Sequence, residues 1–401
     1  MNRLYVICTL IGLLVFNICF CQQISENSGY LDVKNGKLYY EVKGQGDETI
    51  VLIHDGLVHG DVWENQFLTF AENFRVVRYD RRGYGRSKKP EETYSNAEDL
   101  RAVFEYLDID KATVIGMSAG GGLAIDFTLK YPEKIATLIV VGAVVSGFGY
   151  SNHMLSRGGR LAAEDYANQE KLLEYFIKED PYEMAPKNKE TRERLWEIMK
   201  DNIHNIDFSK NRLAKQPERP AIEVLDEVQV PTLIIVGEYD IPDVFVHAGA
   251  IESGIQYSKK VIINNAGHLV PYEQPKIFNR HVLKFLNSAD FFWTLNTQSV
   301  AKAAEMFERI RIEDKNWIPF DETQMNMLGY HCLQSGKINE AIDLFKLNVL
   351  AYPKSANVYD SLGEAYFINE EKELAIKNYK KSLELNAENT NAIEMLKQLK
   401  K

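Results

Sequence analysis

The sequence predicts an α/β domain with a mostly parallel, doubly wound sheet, followed by an all-α domain of helical repeats. Short apolar runs rich in β-branched residues, at 112–115, 137–142 and 232–237, predict buried parallel strands. After Asn287 such runs stop, and apolar residues follow a helical period instead. The chain of 401 residues can bury a large core, and its net charge of −10 disfavours nucleic acid as a partner.

Residues 1–21 predict a secretory signal peptide. Arg3 gives a positive start, residues 4–20 are almost entirely apolar, and Cys19 and Cys21 place small side chains at the −3 and −1 positions before Gln22. Cleavage there predicts a secreted or periplasmic protein. The alternative is an uncleaved membrane anchor, because an apolar core of about 17 residues is at the short limit for a span.

Cysteine usage follows from this segment. Three of the four cysteines, Cys8, Cys19 and Cys21, lie within it, so the mature chain keeps only Cys332 and has no internal disulfide. The sequence has no Cys/His cluster with metal-ligand spacing and no Gly-rich phosphate loop. We therefore expect neither a metal nor a cofactor, and stability that comes from core burial.

A serine lies in a strand-turn-helix setting at Gly116–Gly120, which reads Gly-Met-Ser-Ala-Gly directly after the predicted strand at 112–115. This G-x-S-x-G pattern is typical of a nucleophile elbow, whose sharp turn exposes the serine hydroxyl at the carboxyl end of a sheet. The following helix points its amide dipoles toward that hydroxyl. The motif alone is weak evidence, since small residues cluster in many tight turns, but it makes Ser118 the candidate nucleophile.

An acid and a base follow at later strand ends. Asp240 comes after the strand at 232–237, and His268 comes after a strand predicted at 260–263. Serine needs a base to take its proton, and the base needs a buried carboxylate to fix its tautomer. Taken singly, Asp240 also suits a helix N-cap and His268 an ordinary loop histidine. Their order and shared sheet edge predict a triad with Ser118.

From about Tyr30 to Asn287 the chain resembles an α/β-hydrolase-fold serine hydrolase. Four segments carry the resemblance: Ile53-His54-Asp55-Gly56, Tyr79-Asp80-Arg81-Arg82-Gly83-Tyr84-Gly85-Arg86-Ser87, the elbow, and Gly267-His268 with Glu273-Gln274-Pro275 behind it. The resemblance implies the triad Ser118, Asp240 and His268. It also implies an oxyanion hole made by the backbone N–H of Ala119 and that of Gly56 or Leu57.

One position in these motifs departs from the family pattern, and two other residues are predicted to be structural. Asp55 occupies a position that is usually glycine in the family, which puts a carboxylate beside the expected oxyanion hole. In the second segment, Asp80 and Arg82 are predicted to form a local hydrogen-bonded brace with a structural role. Ser118 argues against epoxide hydrolases and haloalkane dehalogenases, which carry aspartate there. The turn at 54–57 does not match the His-Gly-Gly-Pro turn of proline-releasing peptidases.

The stretch at about 146–228 has no convincing strand, and the resemblance implies that it forms a helical cap over the serine. Amphipathic segments at 161–180, 189–205 and 222–228 predict its helices. Its aromatic residues are candidates for a pocket lining or for the core of the cap: Phe148, Tyr150, Tyr166, Tyr175, Phe176 and Trp196. A cap implies a bounded, partly apolar pocket and a small to medium substrate.

The all-α domain, predicted at 291–401, carries a 34-residue repeat. Leu328-Gly329 recurs as Leu362-Gly363, and Phe345 recurs as Tyr379. The pattern resembles tetratricopeptide repeats, with clear copies at about 325–358 and 359–392. Two further predictions concern a degenerate earlier repeat at Ala303 and Phe307, and Cys332 as a buried apolar filler. The domain is expected to dock a protein or peptide, to self-associate, or only to cover apolar surface.

These observations predict an exported serine hydrolase that cleaves an ester, thioester, lactone or amide bond through an acyl-enzyme. The alternative is a catalytically idle hydrolase scaffold whose repeats bind a protein partner. In either case no nucleic acid is expected, and membrane contact only if the N-terminal segment is uncleaved.

Overall fold

A computed structural model describes residues 26–155, 168–179 and 188–399 of the protein. Its first part is an eight-stranded sheet in the order β1-β2-β4-β3-β5-β6-β7-β8. The strands are β1 Glu26–Val33, β2 Gly36–Lys43, β3 Thr49–Ile53, β4 Arg75–Tyr79, β5 Ala112–Met117, β6 Ile135–Val141, β7 Thr232–Gly237 and β8 Ser258–Ile263. Strand β2 is antiparallel to β1 and β4, whereas pairs from β4 to β8 are parallel. The predicted mostly parallel α/β sheet is confirmed.

Helices cover both faces of the sheet, so its central strands are buried throughout. The helices are α1 Glu64–Phe70, α2 Asn96–Tyr106, α3 Ala119–Lys130, α4 Asn152–Leu155, α5 Gln169–Glu174, α6 Lys189–Lys200, α7 Pro242–Gly254, α8 Val270–Glu273 and α9 Pro275–Thr297. Alternate residues of β3 enter different cores: Val51 and Ile53 join one apolar cluster, and Ile50 and Leu52 join the other. This alternation is the period-2 arrangement of a strand between two helical layers.

The helices of the predicted cap segment are shorter than predicted and are interrupted by turns. The helix expected at 161–180 contains α5 and a π-helical turn at Tyr175–Glu179, while residues 161–167 and 180, with Tyr166, lie outside the described residues. The helix expected at 189–205 stops at Lys200 and is followed by a 3₁₀ turn at Ile203–Ile206.

The predicted helix at 222–228 is wrong. The chain there makes two 3₁₀ turns, Ala221–Glu223 and Leu225–Glu227, separated by Val224 at φ −141°. The helical spacing of its buried apolar residues is real, since Ala221, Leu225 and Val228 all join the core. Val224 combines this φ with ψ 23°, a conformation that is neither helical nor extended and that interrupts the helix between the two turns.

The second part of the chain is helical. Up to residue 399, six helices follow α9: α10 Val300–Glu313, α11 Glu322–Gln334, α12 Ile338–Ala351, α13 Ala356–Ile368, α14 Lys372–Leu385 and α15 Thr390–Leu399. The boundary predicted between residues 290 and 291 falls inside α9. Phe278 and Val282 of this helix pack on the sheet, and Phe291 and Leu295 pack among the later helices.

The 34-residue period corresponds to two successive helix pairs, α11 with α12 and α13 with α14. In the first pair a Cβ on Gly329 would lie 2.5 Å from the Phe345 ring, and in the second a Cβ on Gly363 would lie 3.0 Å from the Tyr379 ring. The two glycines therefore let each pair of helices approach closely around an aromatic ring. Cys332 is buried, as expected of an apolar filler. The tetratricopeptide assignment itself stays a prediction.

Across residues 26–155, 168–179 and 188–399, no helix is long and apolar enough to cross a membrane. The predicted signal segment lies outside these ranges.

Candidate active site

The turn around Ser118 has the strained geometry of a nucleophile elbow. Ser118 has φ 53° and ψ −117° between β5 and α3, and its N–H donates to the carbonyl of Val141 at 2.8 Å. A side chain at Gly116 would clash with the carbonyl of Gly120, which approaches from the first turn of α3. Positive φ at a non-glycine residue is costly and occurs where the surrounding structure enforces it.

Asp240 and His268 form a buried pair at the ends of β7 and β8. The His268 Nδ1 atom lies 2.9 and 3.0 Å from the two Asp240 carboxylate oxygens. The N-cap of α7 is Ile241, without a side-chain cap bond, so Asp240 does not serve as that cap. The carboxylate faces the histidine, and it also accepts a hydrogen bond from the Ile241 N–H at 2.8 Å.

Gly142 brings the elbow and the Asp240–His268 pair together. It follows Val141, the acceptor for the Ser118 N–H, and it has φ +52°. A Cβ on Gly142 would lie 3.0 Å from Asp240 Oδ2 and 3.2 Å from His268 Nδ1. Both units therefore pack on the same end of β6. The sequence pattern gave no reason to single out Gly142, because its role depends on contacts far along the chain.

Glu273 supports the loop that carries His268. Its carboxylate is buried, and both oxygens accept from the N–H of Gly267 at 2.9 Å. Burial raises the pKa of Glu273 to about 7, despite the hydrogen bonds from backbone N–H groups that favour its charged form. The sequence places Glu273 within a family motif, but residue type and spacing give no sign of this role.

The Asp55 carboxylate is turned back on its own loop. Its Oδ1 atom accepts from the N–H groups of Leu57 at 2.8 Å and Val58 at 2.7 Å. This local turn satisfies the carboxylate, as Asp side chains commonly do. It also corrects the expectation for Leu57, whose N–H is already occupied. Gly56 is then the loop residue that faces the elbow, since a Cβ on it would lie 3.5 Å from Ala119 Cβ.

The prediction that Asp80 and Arg82 brace each other is wrong, because each side chain bonds to other residues. Asp80 accepts from the N–H groups of Gly60 and Arg86, each at 2.8 Å. Arg82 makes a bidentate contact with Asp99 at 2.5 and 2.8 Å. Both side chains are structural, but each fixes a different neighbour of the turn because the two point in different directions.

The aromatic candidates of the cap divide into two groups. Phe148 and Tyr150 contact the ring of His247, with centroids at 4.8 and 5.2 Å. The residue between them, Gly149, lines a small cavity of about 210 Å³ together with Ser151 and Asp243. The others contact residues of the cap itself: Tyr175 meets Phe176, and Trp196 lies under Lys178. The structure favours a cap-core role for this second group.

The fold is shared with a known family. A family model described as the alpha/beta hydrolase fold matches residues 48–275, which is more than half of the chain. The chain therefore belongs to the alpha/beta hydrolase fold family, as the motifs predicted. The match ends before the helical repeats.

Several relatives are hydrolases by name. The chain is 29% identical over 290 residues to a 2-hydroxy-6-oxononadienedioate/2-hydroxy-6-oxononatrienedioate hydrolase of Escherichia coli (strain K12), covering 66% of this chain and 97% of that protein. A Pseudomonas putida enzyme with the same name and the suffix 1 is 28% identical over 283 residues, covering 65% and 97%. The crystal structure of bromoperoxidase from Bacillus anthracis aligns with a TM-score of 0.55 and 25% identity, covering 65% of this chain and 99% of that one. These similarities support a hydrolase and leave the bond class open.

Proposed function

We propose that this protein is a serine hydrolase in which Ser118 is the nucleophile, His268 the general base and Asp240 its orienting carboxylate. The observation that carries the proposal is that a strained Ser118 and a buried Asp240–His268 pair meet neighbouring residues at the end of β6: the Ser118 N–H donates to Val141, and the pair lies against Gly142. Hydrolase relatives across two thirds of the chain support it. An idle scaffold has no need of a strained serine beside such a pair.

The geometry suits a two-step acyl transfer. With His268 Nδ1 directed at Asp240, Nε2 is the ring nitrogen that takes the proton as Ser118 Oγ attacks a carbonyl carbon. The buried carboxylate stabilises the imidazolium that results. His268 then returns the proton to the leaving group. In the second step His268 takes a proton from water as the water oxygen attacks the acyl carbon, the bond from that carbon to Ser118 Oγ breaks, and the proton passes to Oγ.

The negative oxygen of the tetrahedral intermediate needs backbone donors. Ala119 is the first residue of α3, so its N–H has no partner within the helix. Gly56 lies opposite it on the neighbouring loop. Each such donor contributes about 10²–10³ in rate, which makes these two N–H groups the oxyanion hole of the proposal.

We propose small to medium acyl substrates: esters, thioesters, lactones or amides. The predicted cap supports a bounded site, and the small cavity lined by Gly149, Ser151 and Asp243 is partly apolar. The curated relatives are named for a 2-hydroxy-6-oxo dioate, whose ketone carbonyl is also open to attack by a serine. That compound therefore belongs in the first substrate panel beside short-chain esters and aminoacyl amides.

A fluorescent fluorophosphonate tests the nucleophile directly. We expect the purified wild-type protein to be labelled and to hydrolyse members of the panel, and Ser118→Ala to do neither while remaining folded by circular dichroism. Undiminished turnover by Ser118→Ala would overturn the mechanism. If neither protein is labelled although both are folded, the idle scaffold with partner-binding repeats becomes the better account.

We further propose that the helix pairs at 322–385 are tetratricopeptide-like and form a docking surface or a self-association contact. Exposed apolar side chains on the first pair, Met327 and Leu350, support such a surface. Light scattering of the purified protein distinguishes a monomer from a self-associated species. A monomer at all concentrations would exclude self-association and leave docking of another chain.

We also propose export by the N-terminal segment, supported by its positive start and apolar core. Sequencing the N-terminus of the protein from an expressing host tests this. A product that begins at Gln22 supports cleavage and a secreted or periplasmic location. An intact N-terminus in the membrane fraction would favour the anchor.

A further inference from the structure

The carbonyl of Asp55 is held by two side-chain donors. Arg81 Nη2 lies 2.9 Å from this oxygen, and His54 Nδ1 lies 2.8 Å from it. The histidine tautomer follows from its other nitrogen, because the Arg81 backbone N–H donates to His54 Nε2 at 2.9 Å. Nδ1 therefore carries the proton. Burial and then the charge of Arg81 lower the pKa of His54 well below its usual value, so the ring is neutral.

Arg81 differs from the other two arginines of its turn. Arg82 is paired with Asp99 at 2.5 Å, and Arg86 is paired with Asp61 at 3.0 Å. Arg81 is buried, and within the described ranges its guanidinium has no carboxylate partner and its Nε has no hydrogen-bond acceptor. A buried charge without an ion-pair partner is costly. Departures of this kind concentrate at functional sites.

The next peptide along the loop is fixed as well. The Tyr84 hydroxyl donates to the Gly56 carbonyl at 3.0 Å, and the Leu57 N–H donates to the Asp55 carboxylate. Between these fixed groups, the Gly56 N–H has no acceptor among the residues that the structure describes. In a planar trans peptide the C=O and N–H point in opposite directions. Holding the Asp55 carbonyl therefore aims the Gly56 N–H away from Arg81 and His54.

We infer that Arg81 is a positioning residue of the oxyanion hole, which acts through the Asp55–Gly56 peptide. Its donated hydrogen bond fixes the peptide plane, and its positive charge draws electron density toward the carbonyl, which strengthens the N–H on the other side as a donor. This N–H matters most when negative charge develops on the substrate oxygen. The inference rests on the proposed function, since it needs a carbonyl under attack by Ser118.

The test compares Arg81→Met with Arg86→Met, a matched control in the same turn whose side chain is partly exposed and directed at Asp61. With p-nitrophenyl butyrate, we expect kcat of Arg81→Met to fall about tenfold, less than the loss of a whole donor. KM should stay within about twofold. The inhibition constant of phenylboronic acid, which forms a tetrahedral anion on the serine, should rise by about the same factor as kcat falls.

A structural role alone would not give this result. Kinetic constants are expressed per site, with sites counted from the end point of fluorophosphonate labelling, so misfolded protein does not enter them. Arg86→Met should keep its kcat within about twofold of the wild type. Should Arg81→Met fail to fold, Arg81→Lys carries the test: the shorter reach of its ammonium is expected to lower kcat severalfold at unchanged KM.

The proposed function and this inference fail differently. If the wild-type protein is neither labelled nor active, the proposed function fails. If the wild type is active and Ser118→Ala is not, but Arg81→Met retains the wild-type kcat and boronate affinity, the inference alone is overturned. An equal loss in Arg81→Met and Arg86→Met would also overturn it, because the effect would then belong to the turn and not to the contact with Asp55.

Discussion

Gly142 offers the sharpest test of how the site is assembled, through the substitution Gly142→Ala. The added methyl group meets two obstacles. The residue has φ +52°, a left-handed conformation that costs an L-residue about 1–2 kcal/mol. The new Cβ would also lie 3.0 Å from Asp240 Oδ2 and 3.2 Å from His268 Nδ1.

The expected loss follows from these distances. Comfortable contacts between heavy atoms begin near 3.5 Å, so the Asp240–His268 pair must move by roughly half an ångström. A misplacement of about 1 Å in a catalytic group can cost on the order of 10²-fold in rate. We therefore expect kcat to fall about tenfold or more. The protein should stay folded, because about 1–2 kcal/mol is a small part of a typical stability of 5–15 kcal/mol.

The control is Gly336→Ala, which separates backbone strain from contact. Gly336 has φ +75°, a similar strain, but nothing lies within 4 Å of its added Cβ. Both variants should lose free energy of unfolding in urea through backbone strain, Gly142→Ala somewhat more because of its close contacts, and only Gly142→Ala should lose activity toward p-nitrophenyl butyrate. If Gly142→Ala keeps its kcat within threefold of the wild type, the view that Gly142 seats the pair is refuted.

Two further predictions concern support for the site and the repeats. Glu273→Gln should change how stability depends on pH. Folding raises the pKa of Glu273 from 4.5 to about 7, so the folded wild type binds this proton more tightly than the unfolded chain does. The wild type therefore loses stability as pH rises through this range. Urea unfolding should show that the free energy of unfolding falls between pH 4.5 and pH 7.5, and that this fall is smaller in the glutamine variant by roughly 2 kcal/mol. An equal fall in both proteins would contradict this prediction. Gly329→Ala should destabilise the first helix pair by about 1–3 kcal/mol through the clash with Phe345, seen as a lower Tm with kcat unchanged. A kcat that falls with the Tm would show that the repeats support the site.

The sequence was most informative where the chemistry is local. Ser118, Asp240 and His268 each follow a recognisable strand, so their approach to one sheet edge could be predicted from the parallel topology. The turn of the Asp55 carboxylate onto the N–H groups of Leu57 and Val58 is also local. Such a turn is typical of aspartate, and could have been predicted from residue type alone.

What the sequence did not predict depends on contacts between distant segments. Arg81 lies in a motif that was recognised, but its acceptor, the carbonyl of Asp55, is 26 residues away in the chain. Gly142 is the last residue of a predicted strand, yet its requirement for glycine comes from Asp240 and His268. The prediction of a helix at 222–228 was wrong for a related reason. The spacing of buried residues was correct, and the backbone that places them was not.

One continuous helix, α9 at Pro275–Thr297, belongs to both parts of the protein. Its first half is anchored under the sheet and its second half in the aromatic cluster where Phe291 meets Trp317 and Phe320. A continuous helix transmits rotation and translation, whereas a flexible linker absorbs them. A protein bound to the repeats would therefore stay at a fixed distance from the hydrolase. Its local concentration at the hydrolase would be set by a rigid helix and not by a flexible linker. For the same reason, a cut after residue 290 would leave Phe291 with the repeats but break α9, and so remove the helical connection between the two parts.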